Sequence, residues 1–153
     1  MILAAGTGVI PFLDLVAYVL RYATYKISKE KFGNTTNVLL PQEIQIFDQI
    51  KLEEFQIHFY VSFRDSMSAL FLDVCEELNA VDKKYGLGIF KFFKTIQFEN
   101  NMIWDSNFLI SNFNSIKDEI KQFYIVGPIT FMQDIKQGLI DSKISTNEKI
   151  FLV

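Results

Sequence analysis

The chain begins Met1-Ile-Leu-Ala-Ala-Gly6-Thr7-Gly8-Val9-Ile10-Pro11-Phe12, and this stretch sets the expected architecture. Small and apolar residues before Gly6 suit a short strand that is covered on both faces, as in a parallel sheet. The two glycines permit a tight turn in which the backbone can approach a ligand without an intervening Cβ atom, and Pro11 suits a first helical turn. The pattern therefore predicts a strand, a phosphate-sized turn and a helix, at the sheet edge where open α/β folds bind ligands. A tight turn that binds nothing remains the alternative.

A second stretch repeats this order near the other end of the chain. It reads Phe123-Tyr-Ile-Val126-Gly127-Pro128-Ile-Thr-Phe131-Met132, an apolar run stopped by Gly-Pro and followed by an amphipathic segment that continues to Leu139. Both stretches have the pattern of a buried strand that ends in a glycine turn before a helix.

Apolar runs bounded by turn residues predict five strands, and helical periodicity predicts three helices between them. The predicted strands cover residues 1–5, 55–62, 89–96, 122–126 and 149–153. The predicted helices cover residues 11–28, 66–84 and 128–141. Alternating strands and helices indicate right-handed crossovers, and hence an α/β fold with a doubly wound five-stranded parallel sheet.

The two glycine turns together resemble the NAD(P)-binding domain of the ferredoxin-NADP reductase superfamily. That family has a Gly-Thr-Gly-x-x-Pro turn after its first strand and a Cys-Gly-Pro-x-x-Met turn after its fourth. Residues 6–11 match the first turn completely, and residues 126–132 match the second if one extra residue is allowed and Val126 replaces the cysteine. Residues 90–97, Trp104-Asp105 and residues 148–153 further resemble the cytochrome b5 reductase branch. The resemblance implies a Rossmann-like strand order 3-2-1-4-5, which would place both turns beside one cleft.

The resemblance also implies a function for the whole domain, residues 1–153. It would bind NAD or NADP and place the nicotinamide for hydride transfer to FAD on a separate domain of the same or a partner chain, since nothing here supplies a flavin-binding barrel. Electrons would then pass to a haem or iron-sulfur acceptor, and the cofactors would supply the chemistry.

Two alternatives stay open: a catalytically degenerate nucleotide-binding or interaction domain, and the cytosolic tail of a ferric-reductase-like or NADPH-oxidase-like membrane protein. Because the sequence starts so close to the first strand, we expect the chain to be part of a longer reductase or a separately encoded half of one.

The resemblance assigns the expected site residues. Thr7, Val126 and Gly127 would stand at the reacting nicotinamide, with the Thr7 hydroxyl on the carboxamide. Valine offers no polarisable thiol where the family has cysteine, so we expect slow transfer or none. The expected cofactor-binding residues are Gly6, Thr7, Gly8, Pro11, Ser62, Arg64, Gln97, Gly127, Pro128 and Met132.

Three of these residues bear on the choice between NADH and NADPH. Ser62 and Arg64 follow strand 2, and Gln97 follows strand 3, where the cytochrome b5 reductases have an acidic residue. A 2′-phosphate favours arginine and hydroxyl partners, whereas a free 2′-hydroxyl commonly meets a carboxylate. The residues leave both nucleotides open, and the branch resemblance favours NADH slightly.

Composition excludes several classes of protein. The net charge of −3 and the lack of a dense Lys/Arg stripe argue against nucleic-acid binding. Residues 1–20 are apolar, but they contain Asp14 and the glycine turn and lack a basic N-terminal region. These features argue against a signal peptide or membrane span, so any membrane contact would come from other regions.

The chain has one cysteine, Cys75, which allows no internal disulfide. A single cysteine fits a cytoplasmic or cytosol-facing location, and we expect a buried structural thiol. We predict no metal site.

Two segments and two residues need separate interpretations. Residues 29–54 exceed a usual helix-to-strand link, so we expect an insertion with a short helix at 41–49. It would be a surface loop, or else a docking surface or a lid over the nucleotide. Residues 97–114 follow strand 3, and in the family this stretch lies near the adenosine.

His58 stands mid-strand and is expected to be structural. Trp104 either borders the adenine site or anchors a loop to the core.

Overall fold

Five strands form one sheet in the computed structural model, which describes residues 1–32, 52, 55–100 and 103–153. The strands are β1 (Ile2–Ala5), β2 (Ile57–Phe63), β3 (Phe90–Ile96), β4 (Phe123–Val126) and β5 (Ile150–Leu152). Their order is β3-β2-β1-β4-β5. This confirms the predicted α/β fold, a doubly wound parallel sheet of order 3-2-1-4-5.

Strand β1 lies in the middle of the sheet and fixes the register of its neighbours. Ala4 lies opposite Val61 of β2 on one side and opposite Val126 of β4 on the other, and both pairings are parallel. Leu3 and Ala4 have no exposed surface, as expected for a strand covered on both faces. Because the strands are parallel, the carboxyl ends of β1, β2 and β4 lie at one edge of the sheet.

The helices of the described residues follow the strands in alternation. They are α1 (Ile10–Phe32), α2 (Leu72–Tyr85), α3 (Gln97–Asn100), α4 (Ser106–Phe113) and α5 (Ile129–Asp141). Short 3-10 turns cover Gly6–Val9, Ser66–Ser68 and Asn147–Lys149. No helix of the described residues has both the length and the hydropathy needed to cross a bilayer.

Two helix predictions need correction. The predicted helix at 66–84 is wrong over its first six residues, because the Asp65 carboxylate accepts from the Ser68 amide and closes a 3-10 turn. Phe71 then takes a left-handed conformation, with φ of 61°, so α2 begins only at Leu72. Helices α3 and α4 were not predicted; the Asp105 carboxylate caps α4 by accepting from the Phe108 amide.

The expected insertion at 29–54 is described only in part. Helix α1 continues to Phe32, so residues 29–32 are helical. Residues 33–51, 53 and 54, which include the helix expected at 41–49, lie outside the described residues.

The chain divides into two compact units. The first comprises Met1–Val9, His58–Phe71 and Phe93–Val153, and the second comprises Ile10–Ile57 and Leu72–Phe92. The first unit has an apolar core built from β1, β4, α4 and α5, which includes Leu3, Leu109, Phe113, Ile125 and Leu139.

The second unit is held by packing of α1 on α2 and by one buried carboxylate. Asp82 accepts from the backbone amides of Gly88, Ile89 and Phe90 at 3.2, 2.8 and 2.8 Å. Cys75 on α2 is fully buried, which confirms the structural thiol, and burial raises its pKa to about 12 with help from the nearby Asp73 carboxylate.

Candidate functional site

The turn after β1 places an open backbone at the edge of the sheet. Gly6 has φ of 55°, a conformation that side chains with a Cβ atom rarely adopt. A Cβ atom added there would meet nothing within 4 Å, so the space above Gly6 is open. Thr7 is exposed, while Val9 is fully buried and anchors the turn to the core. The turn therefore presents a fixed backbone and one hydroxyl to open space.

Gly8 brings this turn into contact with the turn after β4. A Cβ atom on Gly8 would lie 2.9 Å from the carbonyl oxygen of Val126 and 3.2 Å from the amide nitrogen of Gly127. Only glycine permits that approach, because both neighbouring atoms belong to the backbone. The predicted juxtaposition of the two glycine turns on adjoining strands is confirmed. Gly8 is thus required by the packing of one turn on the other, a reason that the sequence did not reveal.

Gly127 closes the contact from the other side. Its φ is 148°, and an added Cβ atom would lie 3.0 Å from the Ala5 Cβ atom and 3.1 Å from a ring carbon of Phe131. Pro128 is exposed and precedes α5, whose first turn carries no acidic residue. Met132, one turn into α5, was expected to bind the cofactor; it is half-buried and packs against the apolar core.

The residues expected to select the nucleotide also come together. Ser62 is buried at the end of β2, where it lies opposite Ala5, and its hydroxyl accepts from the Gln97 side-chain amide at 3.2 Å. The Phe98 amide donates to the Arg64 carbonyl oxygen at 3.1 Å. The exposed Arg64 guanidinium lies 5.2 Å from the centroid of the Phe98 ring, within the range of a cation-π contact.

Phe98 was missed as a candidate, although 69% of its surface is exposed beside Arg64. The signal was its position directly after Gln97, at the end of a predicted strand. Pro11, by contrast, belongs to the second unit, where it is an exposed residue in the first turn of α1.

Trp104 anchors its loop to the core. Its indole nitrogen donates to the Thr95 hydroxyl at 2.8 Å, and its ring stacks on Phe108 with centroids 5.0 Å apart. Trp104 is 8% exposed, which favours its role as an anchor of the loop to the core over a place at the border of an adenine site. His58 is half-buried mid-strand beside Phe93, with ring centroids 6.2 Å apart, as expected for a structural residue.

Comparisons with known proteins identify the fold. No protein-family model matches the sequence, and no curated protein matches it significantly. Among solved structures, the chain is similar to a flavohemoglobin from Malassezia yamatoensis that contains bound FAD and haem. The TM-score is 0.59 at 19% sequence identity, and the match covers 99% of this chain and 30% of that chain. The chain therefore shares its fold with a segment that makes up less than a third of the flavohemoglobin.

Proposed function

We propose that the chain is the NAD(P)H-binding domain of a flavin-dependent oxidoreductase, which places the nicotinamide for hydride transfer to FAD on a separate domain. The contact between Gly8 and the Val126-Gly127 backbone carries this proposal, because it brings the two motif turns to one place at the switch point of the sheet. Ligands of open α/β sheets bind at this point, where the direction of winding reverses.

The residues of the two turns fit a dinucleotide. The open space above Gly6 leaves room for a ligand against the backbone, and Thr7 offers an exposed hydroxyl for the nicotinamide carboxamide. The amino end of α5 has no acidic residue and no side-chain cap, so its amides and positive dipole end favour a phosphate. Gly127 and Pro128 form the opposite wall, against which the flat ring would lie. The reduced nicotinamide supplies the hydride, and these residues hold it in place.

The ribose end would lie beyond β2 and β3. The Ser62–Gln97 hydrogen bond and the Arg64–Phe98 contact support this, because they gather a hydroxyl, an amide and a guanidinium near the ends of β2 and β3. A guanidinium suits a 2′-phosphate, while an amide in place of a carboxylate removes a repulsion that would disfavour NADPH. Both nucleotides are therefore candidate ligands, with NADH favoured by the resemblance to the cytochrome b5 reductases.

A flavin-binding partner is supported by apolar side chains at the carboxyl ends of the strands. These exposed residues belong to the first unit, and they follow strands β2, β3, β4 and β5. They are Met67 (95% exposed), Phe98 (69%), Ile103 (75%), Ile129 (69%) and Val153 (55%). Exposed apolar side chains gathered at one edge of a sheet suit an interface with another domain. The flavohemoglobin of similar fold carries FAD and haem, which supports a flavin domain as partner and a haem as electron acceptor, with an iron-sulfur centre as the alternative.

Val126 favours a second candidate, a nucleotide-binding module that has lost hydride transfer. Val126 is 6% exposed, so its side chain packs within the fold. It provides no thiol where the resemblance places one beside the reacting carbon.

One experiment separates these candidates. The chain, joined to a flavin-binding domain, is mixed with NADH or NADPH without oxygen, and the loss of flavin absorbance is followed. Bleaching faster than that of the flavin domain alone supports the reductase. Nucleotide binding without faster bleaching identifies the degenerate module, and the absence of both removes the nucleotide proposal.

A further inference from the structure

A depression of about 630 Å³ lies in the first unit, away from the glycine turns. Its lining comes from residues 117–118, from the end of α5 with the loop after it, and from the 3-10 turn Asn147–Lys149. These segments precede the amino ends of β4 and β5. The depression and the proposed nucleotide site therefore belong to opposite edges of the sheet.

The depression concentrates positive charge in an acidic chain. Lys117, Lys143 and Lys149 line it together with one carboxylate, Asp118, whereas the whole chain has a net charge of −3. None of the three ammonium groups forms an ion pair with a described carboxylate. Lys143 follows the carboxyl end of α5, where a cation complements the helix dipole, and Lys149 ends the short 3-10 turn Asn147–Lys149. Like charges gathered in a concavity focus a potential that attracts anions.

Hydrogen-bond donors complete the lining at Ser145, Thr146 and Asn147. Thr146 directly precedes the 3-10 turn, but its side chain makes no capping hydrogen bond. The Ser145 hydroxyl lies 3.4 Å from the Thr146 carbonyl oxygen, a long contact that a better acceptor would replace. Carbonyl oxygens near the end of α5 would repel an anion if they were unpaired. Those of Ile140 and Leu139 already accept the backbone amides of Lys143 and Ile144, each at 3.0 Å.

The remaining lining is apolar. Ile144 is 5% exposed and Ile140 is half-buried, and both contribute to the depression. A volume of this size exceeds what an inorganic phosphate fills and lies within the range of small-molecule sites.

We propose that this depression binds a phosphorylated small molecule. The three lysines and the consecutive donors at 145–147 would hold the phosphate, and the organic part would lie against Ile140 and Ile144. Such a site is independent of the nucleotide site at the opposite edge of the sheet.

The test uses inorganic phosphate and phenyl phosphate as probes, titrated at constant ionic strength into the labelled chain while amide resonances are followed by NMR. We expect saturable shifts at Ser145, Thr146 and Asn147 with both probes, and tighter binding of phenyl phosphate because its ring meets the isoleucines. The double variant Lys117→Gln/Lys149→Gln should bind about fivefold more weakly, the loss expected from two exposed charge contacts.

The control is Lys121→Gln, an exposed lysine outside the depression. It should leave both affinities unchanged while its spectrum, like that of the double variant, remains that of the folded chain. Equal weakening in the control would mean that the probes respond to overall charge, and would overturn the proposal. Unsaturable shifts, or shifts unchanged in the double variant, would also overturn it, and binding of an acidic peptide but neither probe would replace it with a protein partner.

Discussion

A Cβ atom on Gly8 would lie 2.9 Å from the carbonyl oxygen of Val126. This relationship joins two turns that are more than a hundred residues apart in the sequence. It also separates the roles of two neighbouring glycines, because Gly6 is required by its left-handed backbone while Gly8 is required by a contact.

The two glycines should therefore respond differently to alanine. Gly8→Ala forces backbone against backbone and should lower the free energy of unfolding by about 1–3 kcal/mol, with amide shifts at Val126 and Gly127. Gly6→Ala should cost about 1–2 kcal/mol through its positive φ, without moving the β4 turn. Chemical denaturation and amide NMR measure both effects. Equal shifts at Val126 in the two variants would show that the contact is not specific to Gly8.

Val126→Cys tests the missing thiol. The two side chains are similar in volume, so the substitution should cost less than about 1.5 kcal/mol of stability. Flavin reduction by NAD(P)H in the chain joined to a flavin domain should become faster. Val61→Cys is a matched control, because Val61 flanks Ala4 on the opposite side and is likewise buried. An unchanged rate in Val126→Cys would show that the thiol does not limit transfer.

Arg64→Gln tests the ribose end of the site. If the exposed guanidinium meets a 2′-phosphate, its loss should weaken NADPH binding about fivefold and leave NADH binding nearly unchanged. Fluorescence titration of the reduced nucleotides measures both affinities. Parallel weakening of NADH and NADPH would place Arg64 away from the 2′ position, and Lys121→Gln controls for net charge.

Asp82 tests the architecture of the second unit. Its carboxylate accepts three backbone amides, so Asp82→Ala should lower the free energy of unfolding by about 3 kcal/mol through unsatisfied donors. Asp82→Asn retains one acceptor oxygen and should cost less. Asp73→Ala, an exposed carboxylate in the first turn of α2, should cost less than about 1 kcal/mol. Denaturation curves of the three variants measure these losses of stability. An equal loss for Asp73→Ala and Asp82→Ala would contradict the structural role of Asp82.

The sheet could be predicted from the sequence because its signals are local. Apolar runs that stop at Gly6 or at Gly127-Pro128 mark strand ends wherever the chain folds, and all five predicted strands match the structure to within two residues at each end. The strand order came from the resemblance, since no local pattern specifies which strands become neighbours.

Other features depend on contacts that the sequence does not display. The start of α2 depends on a hydrogen bond between Asp65 and Ser68, and the burial of Trp104 depends on its bond to Thr95. Helix α4 had a local signal, since Asp105 precedes an apolar run, but its eight residues are short for helical periodicity. The need for glycine at position 8 arises only once β4 lies beside β1.

The most direct test is to titrate the labelled chain with NADH and with NADPH while following the amide resonances of Gly6, Gly8 and Gly127. We expect weak but saturable shifts at all three with at least one nucleotide, because their backbones border the same ligand. Shifts at none of the three with either nucleotide would contradict the proposed cofactor site and leave an α/β domain with another function.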